Sequence, residues 1–76
     1  MSERTIIDAR DASCTTALME LISALRMRHV GDEVEVLSTD KSSAQEIADW
    51  CAEVKHDLIS VDDKTGYWSI LVRKAK

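Results

Sequence analysis

The stretch "DARDASCTTALMEL", Asp8–Leu21, decides how this chain is read. It leaves a short apolar run, crosses a polar segment, and enters a helix-forming segment with a cysteine at the join. Upstream, Thr5–Ala9 (TIIDA) reads as a short β-strand with Ile6 and Ile7 as its apolar content. Downstream, residues 15–28 predict a helix. Leu18, Leu21, Ile22 and Leu25 recur at i, i+3, i+4 and i+7, so they form one stripe. Ala17 widens that stripe, while Glu20, Ser23 and Arg26 face water. Cys14 therefore stands where a strand-to-helix loop becomes a helix.

The remaining elements follow from the same periodicities. Gly31 in "RHVGDE" supplies the left-handed conformation that a helix end or turn needs. Glu33–Ser38 (EVEVLS) alternates, with Val34 and Val36 toward a core and Glu33 and Glu35 outside. "TDKSS" reads as a loop. Ser43 with Glu46, or equally Ser42 with Gln45, fits a capping box for a second helix from Ala44 to about Val54. Its apolar positions are Ala44, Ile47, Ala48, Cys51 and Val54. Leu58–Val61 reads as a strand and Asp62–Gly66 (DDKTG) as a turn. Tyr67–Val72 is a last strand with Trp68, Ile70 and Val72 on one face, closing a hairpin. The order β-α-β-α-β-β predicts an α/β fold: a two-layer α/β sandwich with a four-stranded mixed sheet and both helices on one face. The other sheet face is expected to be partly solvated. Residues 1–76 read as one domain, without repeat or linker.

Composition removes several function classes. With 10 Lys+Arg against 14 Asp+Glu, the net charge is −4, which opposes direct nucleic-acid binding. The basic clusters Arg26–His29 and Arg73–Lys76 fall near element ends, where solvated charge is ordinary. No apolar run approaches the roughly 20 residues of a membrane span, and the charged N-terminus lacks a secretory h-region. A cytoplasmic location is expected. The two cysteines show no CxxC spacing, which favours free thiols in a reducing compartment. His29 and His56 have no ligand-like spacing, and neither a phosphate loop nor a zinc or serine-hydrolase motif is present. No cofactor and no metal are expected.

Cys14 is the candidate for chemistry. A helix N-terminus carries unpaired N–H groups and the positive end of the dipole, and both favour an anion. A thiolate is the nucleophilic form of cysteine, and such a site lowers its pKa. The position suits attack on a persulfide, storage of sulfur as Cys–S–S⁻, and release to an acceptor. Arg10, earlier in the same loop, would add positive charge. A small buried cysteine packed under the loop explains the position equally well. Cys51, following Ile47 on the apolar stripe, reads as a core residue. It pairs with Cys14 only if the fold brings the two together.

Over nearly its whole length the chain resembles the TusA/SirA family of small sulfur-carrier proteins (sulfurtransferases). The resemblance rests on "DAR" (Asp8, Ala9, Arg10), on Cys14 opening the first helix, and on "GDEVEVLSTD" (Gly31–Asp40). It continues through "IADWC" (Ile47–Cys51), "HDLISVD" (His56–Asp62) and the Gly66-Tyr67 turn. It implies the same two-layer sandwich and implies that Cys14 is the sulfur-bearing, catalytic residue. It also implies a sulfur-donor protein, either a cysteine desulfurase or a rhodanese-like protein, and a sulfur-acceptor protein as partners. Downstream uses in the family include tRNA thiolation, cofactor synthesis and dissimilatory sulfur metabolism. A monomer is expected, with weak self-association conceivable through the solvated sheet face and the Trp68 strand.

The motif departs from the family's Cys-Pro-x-Pro. Here it is Cys14-Thr15-Thr16-Ala17, and the chain contains no proline. Thr15 replaces a residue that would fix φ and restores an N–H that can solvate a thiolate. Ser13 and Thr15 or Thr16 offer side-chain oxygens for capping. Asp11, where the family has glycine, adds a carboxylate that opposes thiolate formation. Two functions fit these residues. One is a working carrier, a sulfurtransferase, with Cys14 supported by Arg10, Thr15 and Thr16. The other is a diverged interaction or regulatory module in which Cys14 is incidental.

Overall fold

A computed structural model of the chain describes residues 5–10 and 14–76. Its elements are β1 (Thr5–Asp8), α1 (Cys14–Arg26), β2 (Glu33–Ser38), α2 (Lys41–Val54), β3 (Asp57–Lys64) and β4 (Tyr67–Arg73). They form one sheet in the order β1-β2-β4-β3. β1 and β2 are parallel, with Thr5 opposite Val34 and Asp8 opposite Leu37. β4 runs antiparallel to both β2 and β3. This is the mixed four-stranded sheet that the alternation predicts.

The register explains the core. Val34 lies opposite Val72 and Val36 opposite Ile70, so four branched side chains project from adjacent strands on one face. Ala17, Leu21 and Leu25 of α1 and Ile47 and Cys51 of α2 cover that face, all at 2 % exposure or less. The two helices also touch each other, so both lie on the same side of the sheet. Each helix therefore buries its apolar stripe once, against the sheet and its neighbour. Among the described residues, no helix is long and apolar enough to cross a membrane.

Several boundaries or assignments differ from the sequence reading. β1 ends at Asp8, and the Ala9 N–H gives the last bond of the parallel ladder, to the Leu37 carbonyl at 2.8 Å. Ile6 alternates away from the core and is 60 % exposed, so Ile7 alone brings β1's large apolar contact to the core. α1 spans Cys14–Arg26 rather than 15–28. Its C-terminal end tightens into i→i+3 bonds, from the Met27 N–H to the Ala24 carbonyl and from the Arg28 N–H to the Leu25 carbonyl.

α2 starts at Lys41, a turn earlier than the capping-box reading placed it. Asp40 is the N-cap, and its carboxylate accepts from the Ser42 N–H at 2.9 Å and the Ser42 hydroxyl at 2.7 Å. Ser43 is no cap: its hydroxyl accepts from buried Ser38 at 3.0 Å, and Ser38 in turn accepts from the Asp40 N–H. A buried hydroxyl needs such a partner, so Ser38 and Ser43 are matched to each other. Finally, Asp62–Lys64 extends β3, leaving Thr65–Gly66 as the turn between paired Lys64 and Tyr67. Gly66 sits at φ +90°, where a side chain would be strained. Trp68 lies opposite Ser38 and shares the helix side of the sheet with Ile70 and Val72, as the alternation in β4 predicts.

Core geometry sets a graded expectation. Ile47 is fully buried, so Ile47→Ala should lower unfolding free energy by about 2–5 kcal/mol and Ile47→Val by about 0.5–1.5 kcal/mol. Ile6→Ala should change it by less than about 0.5 kcal/mol. Urea denaturation of the three variants checks the ranking.

Candidate functional site

Two parallel strands, each followed by a helix, bring two strand-to-helix junctions to one edge of the molecule. There the segment after β1 is tied to the end of β2 and to the loop that follows it. The Ala9 N–H donates to the Leu37 carbonyl at 2.8 Å, and the Thr39 hydroxyl donates to the Arg10 carbonyl at 2.8 Å. Such carboxyl ends of parallel strands are where open α/β sheets place their ligands. Cys14 is the first residue of α1, at the end where backbone N–H groups lack helical partners. The α1 first turn contains no acidic residue. The Cys14 side chain and all of Asp11, Ala12 and Ser13 lie outside the described residues, so the expected Ser13 cap and Asp11 carboxylate fall there too.

Arg10 reaches this edge but brings its own counter-charge. Its Nε donates to Asp8 Oδ1 at 2.9 Å and its Nη2 to Oδ2 at 2.8 Å, while its backbone N–H donates to Oδ1 at 3.2 Å. These hydrogen bonds, with the guanidinium charge, hold the Asp8 carboxyl down at about 2. The guanidinium also lies 5.3 Å from the centre of the Tyr67 ring, within cation–π range. Asp8 and Tyr67 are therefore contributors to the site that sequence reading missed. The Asp-x-Arg spacing of "DAR" was the available signal, since a bidentate pair needs only that short reach.

Thr15 and Thr16 are exposed on the first turn of α1. They line one end of a groove of about 590 Å³ between α1 and the edge strand β1, continued by Ile7, Asp8, Met19 and Ser23. Met19 is 59 % exposed there. The groove opens beside the residue that begins α1.

The second cysteine belongs elsewhere. Cys51 is 1 % exposed, and its thiol is raised to about 11, chiefly by burial and then by the Asp57 charge. It comes ten residues after the start of α2, about 15 Å along the axis at 1.5 Å per residue. α2 starts at the same edge as α1. The Cα atoms of Cys14 and Cys51 are therefore too far apart for a disulfide, which needs less than about 7 Å. Neither histidine joins Cys14 either, because both follow helix C-termini at the opposite edge. His29 is exposed and lies near Asp32. His56 Nδ1 accepts from the Ala75 N–H at 3.1 Å, and its ring packs 5.4 Å from Trp50. Burial, followed by the Lys74 and Lys76 charges, lowers the His56 pKa.

Comparison with known proteins gives a consistent picture. A family model described as "Sulfurtransferase TusA" matches residues 5–74. A relative from Archaeoglobus fulgidus named "Putative sulfur carrier protein" is 44 % identical over 71 residues, covering 93 % of this chain and 97 % of its own. A Pseudomonas paraeruginosa protein named "Sulfur carrier protein TusA" is 28 % identical over 69 residues, covering 91 % and 87 %. The crystal structure of a SirA-like protein from Desulfitobacterium hafniense superposes with a TM-score of 0.84 at 19 % identity, covering 95 % of this chain and 99 % of that one. That last likeness supports the fold.

Two measurements follow from the site chemistry. Cys51 should resist alkylation by iodoacetamide at pH 8 in the native protein and react once urea exposes it, which peptide mapping reads directly. Asp8 has a depressed folded pKa, so its contribution to stability is present above the unfolded value of 3.8 and is lost as pH falls through about 2. Asp8→Asn should therefore flatten the acid limb of a stability–pH curve, and a curve parallel to wild type would contradict the pairing.

Proposed function

The chain belongs to the TusA family, and from that premise we propose that it is a sulfur carrier that holds sulfane sulfur on Cys14. The observation that carries this reading is the place of Cys14, first in α1 and at the carboxyl end of β1. In the first step the Cys14 thiolate attacks the terminal sulfur of a donor persulfide, R–S–S⁻. A new S–S bond forms to Cys14, the donor's S–S bond breaks, and the donor leaves as a thiolate. In the second step an acceptor nucleophile attacks the terminal sulfur on Cys14, and the Cys14 thiolate leaves. Sulfane sulfur passes from thiol to thiol, and no external oxidant or reductant is consumed.

Three features support the anionic states this requires. The α1 dipole contributes about 0.3–1 kcal/mol to an anion at its N-terminus, which is less than one pKa unit of 1.36 kcal/mol. Hydrogen bonding must then supply the rest. Thr15 retains an N–H where the family's proline has none, and the Thr15 and Thr16 hydroxyls sit on the same turn. Arg10 adds a cation whose charge Asp8 largely offsets, so its role is to brace the loop as much as to attract an anion. The partners are a donor protein, a cysteine desulfurase or rhodanese-like protein, and an acceptor protein. The reducing cytoplasm suits a carrier whose thiols stay free.

The Cys14-Thr15-Thr16-Ala17 sequence also fits a diverged interaction or regulatory module, and one experiment separates the two. The protein is incubated with a persulfidated cysteine desulfurase or rhodanese and analysed by intact mass. Gain of one sulfur atom by wild type and by Cys51→Ala, but not by Cys14→Ser, supports the carrier. Absence of the adduct with every donor, while the same donors load a Cys-Pro-x-Pro relative, establishes the module. Thr15→Pro should keep the loaded state, because proline is tolerated in a helix's first turn.

A further inference from the structure

Two basic clusters that are far apart in sequence meet at the edge opposite Cys14. Arg26 ends α1, while Lys74 and Lys76 follow β4. They line one open groove of about 480 Å³ between the C-terminal turns of α1 and α2. Its apolar wall is Ile22, Trp50 and Val54, with His56 beside Trp50. Lys74 is held in place: its Nζ donates to the Leu25 and Arg28 carbonyls, both at 2.7 Å, and its backbone pairs with Gly31 and Asp32. That ammonium answers the negative end of α1. Arg26 and Lys76 have no such employment. Among the described residues neither side chain has a hydrogen bond or ion pair, and no acidic side chain lines the groove. A chain of net charge −4 thus concentrates unneutralised positive charge along one apolar groove.

We propose that this groove docks an acidic segment of a partner protein, with an apolar side chain seated against Trp50 and Val54 and carboxylates on Arg26 and Lys76. Charge complementarity selects the sign of the ligand. The apolar wall selects a peptide over a phosphate backbone, and the chain's net charge of −4 opposes a long polyanion. The neutral imidazole of His56, with Nδ1 already accepting, carries its proton on Nε2 and adds a donor at the rim. α1 separates the groove from Cys14 by its 13 residues, about 20 Å. A partner bound here leaves the Cys14 edge open, and the inference stands whether or not Cys14 carries sulfur.

The test uses the intact chain labelled with nitrogen-15 and two blocked hexapeptides, Glu-Glu-Leu-Glu-Glu-Leu and Glu-Glu-Gly-Glu-Glu-Gly. The leucine peptide should shift the Trp50 indole signal and leave that of Trp68 in place, with Trp50→Phe assigning the pair. It should bind more tightly than the glycine peptide, and the R26E/K76E variant should weaken it by about tenfold or more. Both substituted side chains are solvent-facing, and an unchanged amide spectrum outside the groove confirms that the variant is folded. Cys14→Ala should bind like wild type, which separates this result from the persulfide measurement. Failure of the leucine peptide to shift Trp50 at millimolar concentration overturns the proposal. So does undiminished binding to R26E/K76E, or tighter binding of octathymidylate than of the peptide.

Discussion

Parallel pairing of β1 with β2 is the constraint on which the rest depends. Parallel neighbours cannot be joined by a tight turn, so the chain must cross back, and α1 is that crossover. Once β1 and β2 point the same way, each following helix must begin at the same edge and end at the other. The N-termini of α1 and α2 then share one edge with the carboxyl ends of both strands. The C-termini of both helices share the opposite edge with the outgoing end of β4. Four residues of β1 are a slender basis for this arrangement. They are reinforced by the core contact of Ile7 and by the ties from Ala9 and Arg10 to Leu37 and Thr39.

That polarity gives the molecule two chemically different ends. At one end lie the N-termini of both helices, Cys14 and a braced Asp8–Arg10 pair. At the other lie two helix termini with excess carbonyl density, and the chain supplies cations to them from α1 itself and from the segment after β4. Lys74 is consumed by this duty, since two carbonyls accept from it. The accumulation of basic residues there is therefore partly a structural necessity. What exceeds the necessity is the unpaired remainder, Arg26 and Lys76, facing an apolar wall.

Elements set by periodicity were legible in the sequence. The alternation in Glu33–Ser38 is decisive because one face is buried and the other wet, and β2 has the predicted bounds. The leucine stripe of α1 and the Ile47–Cys51 stripe of α2 were equally readable, since each reports a single buried face. Features set by competition between neighbours were not. Asp40, Ser42 and Ser43 are all good capping residues, and only the buried Ser38 hydroxyl, distant from that choice in any local window, claims Ser43 and leaves the cap to Asp40. The acidic run in Asp62–Lys64 read as a turn because charge is common in loops. β3 is an edge strand, and there charged side chains are tolerated and guard against unwanted pairing. In the site, Cys14 was legible from its place at a strand-to-helix join, but the contribution of Asp8 and Tyr67 was not. Their meeting with Arg10 depends on the sheet register that brings the end of β1 and the start of β4 to the same edge on either side of β2.

The absence of proline gains a physical context from the loop ties. Proline at a helix start restricts the backbone before folding and so reduces what ordering costs. A chain without it must order the same turn through contacts made on folding. Here the Thr39–Arg10 and Ala9–Leu37 bonds fix the entry to the loop, and the Asp8–Arg10 pair stiffens it from the side. These contacts hold the near side of the α1 entrance by tertiary bonds where the family's motif uses covalent restriction. The exchange leaves Thr15 with a donor that proline lacks. Sulfane sulfur chemistry needs an anion to be welcomed at two stages, as the attacking thiolate and as the terminal persulfide, and an additional N–H serves both. Loss of the prolines and retention of Cys14 are therefore compatible within one physical account, in which the entrance is held by neighbouring strands and the anion by backbone donors.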